Sequence, residues 1–363
     1  MRKFCTAALG ILCLAQGALA ADTNAHSVRR DLLNFLMADL GITEKQRNVV
    51  SGDHPLDKWL TTLLVSHARQ FGRDRERLQI VGDRLAKQHI VLVDGRMASA
   101  VYQEALTVER SLLPVFRGFE LDAWQAASPT SAQPLIANAQ ARIDRAAGDW
   151  RVAYFRSNTT EGHTPNATEL ADVTRYLHVN KAVMAQDPIW HNLIVEVAVY
   201  RGAPEAEIKS LVREGLAAFP GNTQLAVEAS AHYLPKWNGD PSKLASYAAW
   251  VMTLPRMSDR HDIYPRIYAH ALYRQYQLTL FKLVAKDWGL LQQGIRHMLA
   301  TYPANSNRNT AALLACLAGD RDLTREILQA PFFQFDTGLW LDKDAPALCG
   351  EWVLQKAPNR SRT

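Results

Sequence analysis

An all-α fold is predicted by three features of this chain. Apolar residues recur at helical spacing through most of its length. Asp-Pro and Asn-Gly pairs punctuate it where helices should start and turns should fall. Only one short stretch has the composition of a strand. The expected architecture is an irregular array of helical hairpins, a tetratricopeptide-like solenoid. Each hairpin has an apolar face that it cannot bury alone, and stacked neighbours cover it.

Residues 1–20 have the form of a secretory signal. Arg2 and Lys3 are basic, Ala7 to Leu14 is a short apolar run, and Ala18-Leu19-Ala20 is a small-x-small cleavage site. The run is shorter than the roughly 20 residues that span a bilayer. No later segment has a charge-free apolar run long enough to do so. The expectation is a chain cleaved near Ala20, without a transmembrane segment, working in the periplasm or outside the cell. Cleavage removes Cys5 and Cys13 and leaves Cys316 and Cys349, which an oxidising compartment permits to pair; the alternative is two buried thiols acting as small core residues. Closing a loop of about 32 residues contributes on the order of 3 kcal/mol.

Hydrophobic residues make up 48% of the chain, which suits a buried core rather than disorder. The net charge of +5 is spread without a block of five like charges. No basic-aromatic motif or groove-reading signature accompanies it, so no nucleic-acid partner is expected.

Val28, Leu32, Leu33, Phe35, Leu36 and Leu40 form a helical apolar face that stops at Gly41. Thr43 to Gln46 has capping-box spacing. Leu56–Ala68 and Arg73–Lys87 read as helices. Gln88–Val93 is strand-like but has no partner, so a buried connection or a helix continuation is expected. Met97–Arg110 returns to helical period. The pattern then breaks around Pro114, Gly118, Pro129 and Pro134. This break separates an N-terminal helical region (21–115) from a helical-repeat domain (116–355), with a disordered tail at 356–363.

In the second region, Leu135–Ala147 is a helix ended by Gly148, and Ser157–Pro165 is a polar surface loop. Asp187-Pro188 supplies an N-cap and an N1 proline for Ile189–Tyr200, which Gly202 ends. Pro204 opens a helix that stops at Phe219-Pro220-Gly221, and Asn222 caps Gln224–Tyr233. Asn238-Gly239 makes a turn, and Asp240-Pro241 repeats the cap before Leu244–Met252. Gly319 suits a helix C′ position and Asp320 the following cap. Leu216 to Asn222 is echoed by Leu299 to Asn305, each closing one helix and opening the next. Trp288 and Leu291 fit the start of a tetratricopeptide pattern, although the residues after them do not.

Several clusters together resemble a bacterial family, the domain of unknown function 4034. They are Trp124 with Pro129 and Ser131, Asp187-Pro188 with Trp190, and Leu234-Pro235-Lys236-Trp237-Asn238-Gly239. Trp288 with Tyr302-Pro303, Ala315 to Arg321, and Cys349 with Trp352 complete the set. The likeness covers residues 116–355; Asn238 stands where the family usually has glycine. The resemblance implies a helical, tetratricopeptide-like fold and no reaction.

The chain contains no HExxH, CxxC, G-x-S-x-G, Walker or dinucleotide motif. Its histidines lack ligand spacing, so neither a metal nor a cofactor is expected. Three constellations are candidates. Glu196 is a carboxylate inside an apolar helix, an expensive placement unless it is paired or faces a cleft. Glu228 and His232 are four apart, on one helix face, as an acid/base or ligand pair would be. Tyr264, Tyr268, Leu272, Tyr276 and Leu280 run at spacing four with Arg260, Arg266 and Arg274 interleaved. That stripe is either array core or a recognition groove, and Arg266 is its residue most worth testing.

The leading expectation is an exported helical-repeat scaffold presenting a surface to a protein or peptide in the cell envelope. One alternative is an envelope hydrolase or polymer-processing enzyme using Glu196, or Glu228 with His232, as acid and base. Another is a binder of an anionic small ligand or polymer through the Arg-Tyr stripe.

Overall fold

The structure is a computed structural model that describes residues 27–42, 56–71, 74–111, 118–148, 165–237, 239–331 and 333–354. Residues 1–20, the Thr43–Gln46 box, Asn238, most of the 157–165 segment and residues 356–363 lie outside them. The chain is all-α, and a single isolated bridge, Val91 with Met97, is the only β pairing among the described residues. None of the described helices is long and apolar enough to cross a membrane.

The chain divides into two compact units. One is Met1–Leu92 with Met97–Arg117; the other is Val93–Arg96 with Gly118–Thr363. In the first, helix α1 (27–39) is followed by α2 (Leu56–Phe71), α3 (Arg75–Gln88) and α4 (Ala98–Ser111). Asp74 caps α3, and His89 ends it in the left-handed region at φ 49°. The expected buried connection follows, with Ile90 and Leu92 inside. Helix α2 packs on α4 and α3, burying Leu60, Leu63 and Leu64. Within that core His67 is fully buried. Its Nε2 lies 2.7 Å from Asp39 Oδ2 and its Nδ1 3.0 Å from the Tyr102 hydroxyl, so it ties three helices together. A neutral ring satisfies both bonds by donating to the carboxylate and accepting from the phenol. Burial lowers its pKa, against the pull of Asp39.

The second unit runs through α5 (Gly118–Ala127), α6 (Ala132–Ala147), α7 (Ala167–Val179), the short α8 (Lys181–Met184) and α9 (Pro188–Tyr200). It continues with α10 (Glu205–Ala218), α11 (Thr223–Ala229), α12 (Leu244–Met252) and α13 (Ile263–Ala271). Then come α14 (Leu280–Leu283), α15 (Trp288–Thr301), α16 (Asn305–Ala318), α17 (Arg321–Leu328) and α18 (Ala345–Leu354). Sequence neighbours pack together, as α6 does with α7, α9 with α10, and α16 with α17. Helices α9, α11, α13 and α15 also pack each on the next, so hairpin is laid on hairpin. A continuous apolar core runs from Val195 to Cys349.

The caps behave as their chemistry dictates. Asp187 accepts from the Ile189 amide with Pro188 at the helix start, and Gln133 donates to the other oxygen of Asp187. Asp320 accepts from the Leu323 amide, after Gly319 closes α16 at φ 80°. Asn222 departs from the expectation. It precedes α11, but its amide donates to Pro188 O and Asn192 Oδ1 on α9, so it fastens two helices instead of capping one. Helix α11 is also shorter than expected, tightening into a 3-10 turn at Ser230–Tyr233. The run predicted from Tyr264 to Leu280 is interrupted by a π turn at Leu272–Tyr276, closed by Gln277 at φ 46°.

His191, on α9, is 2% exposed and packs edge-on against Trp190 and Phe219. Burial pushes its pKa down from 6.5 to about 4. The unfolded chain therefore takes up this proton first as the pH falls. The stability that His191 contributes is complete above pH 6.5 and is lost between 6.5 and about 4, on the order of 3 kcal/mol in all. Urea midpoints measured across that window should fall less steeply in His191→Leu than in the parent chain. Parallel slopes would contradict this assignment.

Candidate functional site

Helix α13 carries two polar groups at its ends, and these contain most of the chemistry. Asp262, Arg266, His270 and Arg274 recur every four residues and so share a face. The tyrosine stripe lies two positions out of step with them.

At the start of α13, Asp262 is fully buried. Arg260 Nε approaches its Oδ1 at 3.0 Å and Arg266 Nε its Oδ2 at 2.9 Å, with His297 Nε2 3.9 Å away. Burial alone would raise this carboxyl, but Arg260 and then Arg266 outweigh it and hold the pKa below the usual value. Arg266 also donates to Asp94 O at 2.7 Å, where Asn307 donates as well. Both guanidiniums lie over the Tyr302 ring. The turn 93–96 needs Gly95 here: its φ is 86°, and a Cβ would overlap the Arg266 guanidinium.

This geometry corrects the recognition-groove reading of Arg266, Tyr264 and Tyr268. The Arg266 side chain is 13% exposed and fully engaged within the fold. Tyr264 and Tyr268 are 1% and 0% exposed, their rings stacked 5.2 Å apart in the core. The reason is geometric: the stripe faces the neighbouring hairpins, and Tyr268 spends its hydroxyl on Ala285 O.

At the other end of α13, Glu228 of α11 meets His270 and Arg274. Gln224 donates to Glu228 Oε1 at 2.6 Å, His270 Nε2 lies 3.4 Å from Oε2, and Arg274 Nη2 lies 3.9 Å from it. Burial pushes the Glu228 carboxyl up. His270, then Arg274 and Gln224, more than offset this and hold it at about 2. Near neutral pH it is a carboxylate held by these partners. The expected pairing of Glu228 with His232 is not formed; His270 takes that place. His232 is half-buried beside Tyr233, and burial lowers its pKa. Ser230 stands 2.9 Å from His270 Nδ1, completing a Ser-His-Glu row. Ser230 is fully buried, however, and gives its proton to Val227 O, so the row offers no open nucleophile.

From Arg274 the network continues outward. Lys236 donates from Nζ to Arg274 O and from its backbone amide to Gln275 Oε1, both on the π turn. Next to it, Trp237 stacks on Tyr200 with the rings 4.9 Å apart and 12° from parallel, both residues half-buried. The Tyr200 hydroxyl donates to Glu196 Oε1 at 2.7 Å. Glu196 is therefore tied to a phenol one turn along its own helix. The result is one connected surface from Glu196 through Tyr200, Trp237 and Lys236 to Arg274 and Glu228.

His270 and Lys236 were not singled out from sequence. The spacing of four from Asp262 through Arg274 is a usable signal for His270; Lys236 is marked only as part of the Leu234–Gly239 cluster, with no role attached. Among the described residues no group of three or more His, Cys, Asp or Glu side chains is placed to hold a metal ion. Cys316 and Cys349 are disulfide-bonded, with their Cα atoms 6.0 Å apart.

Fold and site together define an all-α hairpin array with a charged and aromatic surface. No family model, curated protein or solved structure matches the chain.

Proposed function

We propose that this chain is a binding module that recognises a protein or peptide through the Tyr200–Trp237 surface. The stacked, half-buried aromatic pair carries the reading, with Lys236, Arg274 and Glu196 around it. Tyr, Trp and Arg dominate binding hot spots: Tyr and Trp bury much area at little entropic cost and keep a polar handle, and Arg adds a planar array of donors. The site is built from α9, the 3-10 turn Pro235–Trp237 and the π turn, and π turns recur at functional positions. That the hairpins form a tetratricopeptide-like solenoid is part of the proposal, supported by hairpin-on-hairpin packing from α9 to α15. So is action in the cell envelope, supported by Arg2, Lys3 and the Ala18-Leu19-Ala20 site. The resemblance to the domain of unknown function 4034 agrees with a helical array and adds no reaction.

Selection of a displayed random-peptide library on the purified chain should enrich binders. Trp237→Ala should weaken the best of them about 30-fold, as loss of a 2 kcal/mol hot spot does. Arg296→Ala, which breaks an exposed pair with Glu326, should leave affinity unchanged. No enrichment, or binders indifferent to Trp237, would overturn the proposal.

A further inference from the structure

Helix α18 is attached unlike a core helix. Its fully buried residues are a single stripe, Ala345, Cys349 and Val353, four residues apart, with Trp352 half-buried beside it. Leu348 and Leu354 on its other faces are 64% and 73% exposed. It packs on α17, and its last turn is held where Arg325 and Arg321 donate to Val353 O. Before it, Trp340 is fully buried and donates to Asn309 Oδ1 at 2.8 Å, a firm anchor. Between anchor and helix lie residues 341–344, all exposed, beginning with Leu341 at φ 61°. A side chain at positive φ is strained, and a short exposed segment of this kind is where a chain can pivot. Across this pivot the Cys316–Cys349 bond fastens α18 to α16.

We propose that α18 is a redox-released strap, pinned at Trp340, hinged at 341–344 and held closed by the Cys316–Cys349 bond. A dithiol reductant attacks one sulfur as its thiolate and forms a mixed disulfide. Its second thiol then closes on the first. The dithiol gives up two electrons and two protons and becomes a cyclic disulfide; Cys316 and Cys349 become thiols. Cys349 is buried and Cys316 half-buried, so Cys316 is the less enclosed of the two residues. With the tie gone, the Ala345–Cys349–Val353 stripe is too small to keep ten helical residues ordered, and the arginine bonds to Val353 O exchange with water. The strap then swings away and uncovers the face of α17 beneath it.

Hydrogen exchange on the full chain, with and without dithiothreitol, tests this, and the intact mass reports whether the bond has opened. Amides of 345–354 should exchange at least about tenfold faster once the bond is reduced, while α13 and α16 keep their protection. The double variant Cys316→Ser with Cys349→Ser should show the reduced pattern without reductant. Unchanged protection in α18 would mean that packing alone holds it. Loss of protection throughout the unit, failure of the double variant to fold, or a bond that resists reduction until the chain unfolds would equally overturn the proposal.

Discussion

Asp262→Ala should lower the stability of the second unit by about 3–5 kcal/mol, the usual cost of removing one partner from a buried ion pair. Asp262 is fully buried, and the side chains of Arg260 and Arg266 are 17% and 13% exposed. Removing the carboxylate leaves two guanidiniums facing each other across a site water reaches poorly. Arg266 would keep only its bond to Asp94 O and its place over Tyr302. Asp262→Asn retains an acceptor and should cost less. Urea unfolding of the three chains gives the comparison; a loss under about 1 kcal/mol in Asp262→Ala would show that both arginines find water once released.

Gly294→Ala should destabilise by about 3 kcal/mol, at the upper end of what overpacking costs. Helix propensity alone argues the other way, favouring alanine by about 1 kcal/mol. The clash decides the sign. A Cβ at Gly294 would sit 2.5 Å from the Pro265 ring and 2.6 Å from His261 O. The first belongs to a fixed ring and the second to the backbone, so neither can turn aside. Both flank Asp262, so the strain falls on the same junction of α13 and α15. A thermal midpoint that rises in Gly294→Ala would mean that this junction is looser than described.

These two positions also show what the sequence could and could not reveal. Helix boundaries set by local chemistry were readable: Leu244–Met252 lies as its Asp240-Pro241 lead and apolar period require. The caps at Asp187 and Asp320 follow from a side-chain oxygen one to three residues ahead of free amides. Asn222 shows the limit. It has cap chemistry and cap position, yet Pro188 O and Asn192, brought close only by folding, claim its amide. The π turn at Leu272–Tyr276 leaves no local mark either; Lys236, far away in the chain, holds it through Arg274 O and Gln275.

The site followed the same pattern. Glu196 is legible as a carboxylate among apolar neighbours and Glu228 by its spacing of four from His232, and both lie on the connected surface. Tyr200 stands one turn from Glu196 on the same helix, so spacing offers that pair; the pairing of Glu228 with His270 has no such signal, since they belong to different helices 42 residues apart in the chain. The tyrosine stripe drew attention by its regularity, and regularity at spacing four in a hairpin array marks a core face more often than a groove. The polar row from Asp262 to Arg274, on the same helix, carried the chemistry instead.

The most direct measurement is photo-crosslinking with a selected peptide, followed by mapping of the attachment points by mass spectrometry. The account predicts label on Tyr200, Lys236, Trp237 or Arg274, and its disappearance in Trp237→Ala. Label concentrated on α17 and α18, or on the first unit, with Trp237→Ala crosslinking as well as the parent chain, would contradict it.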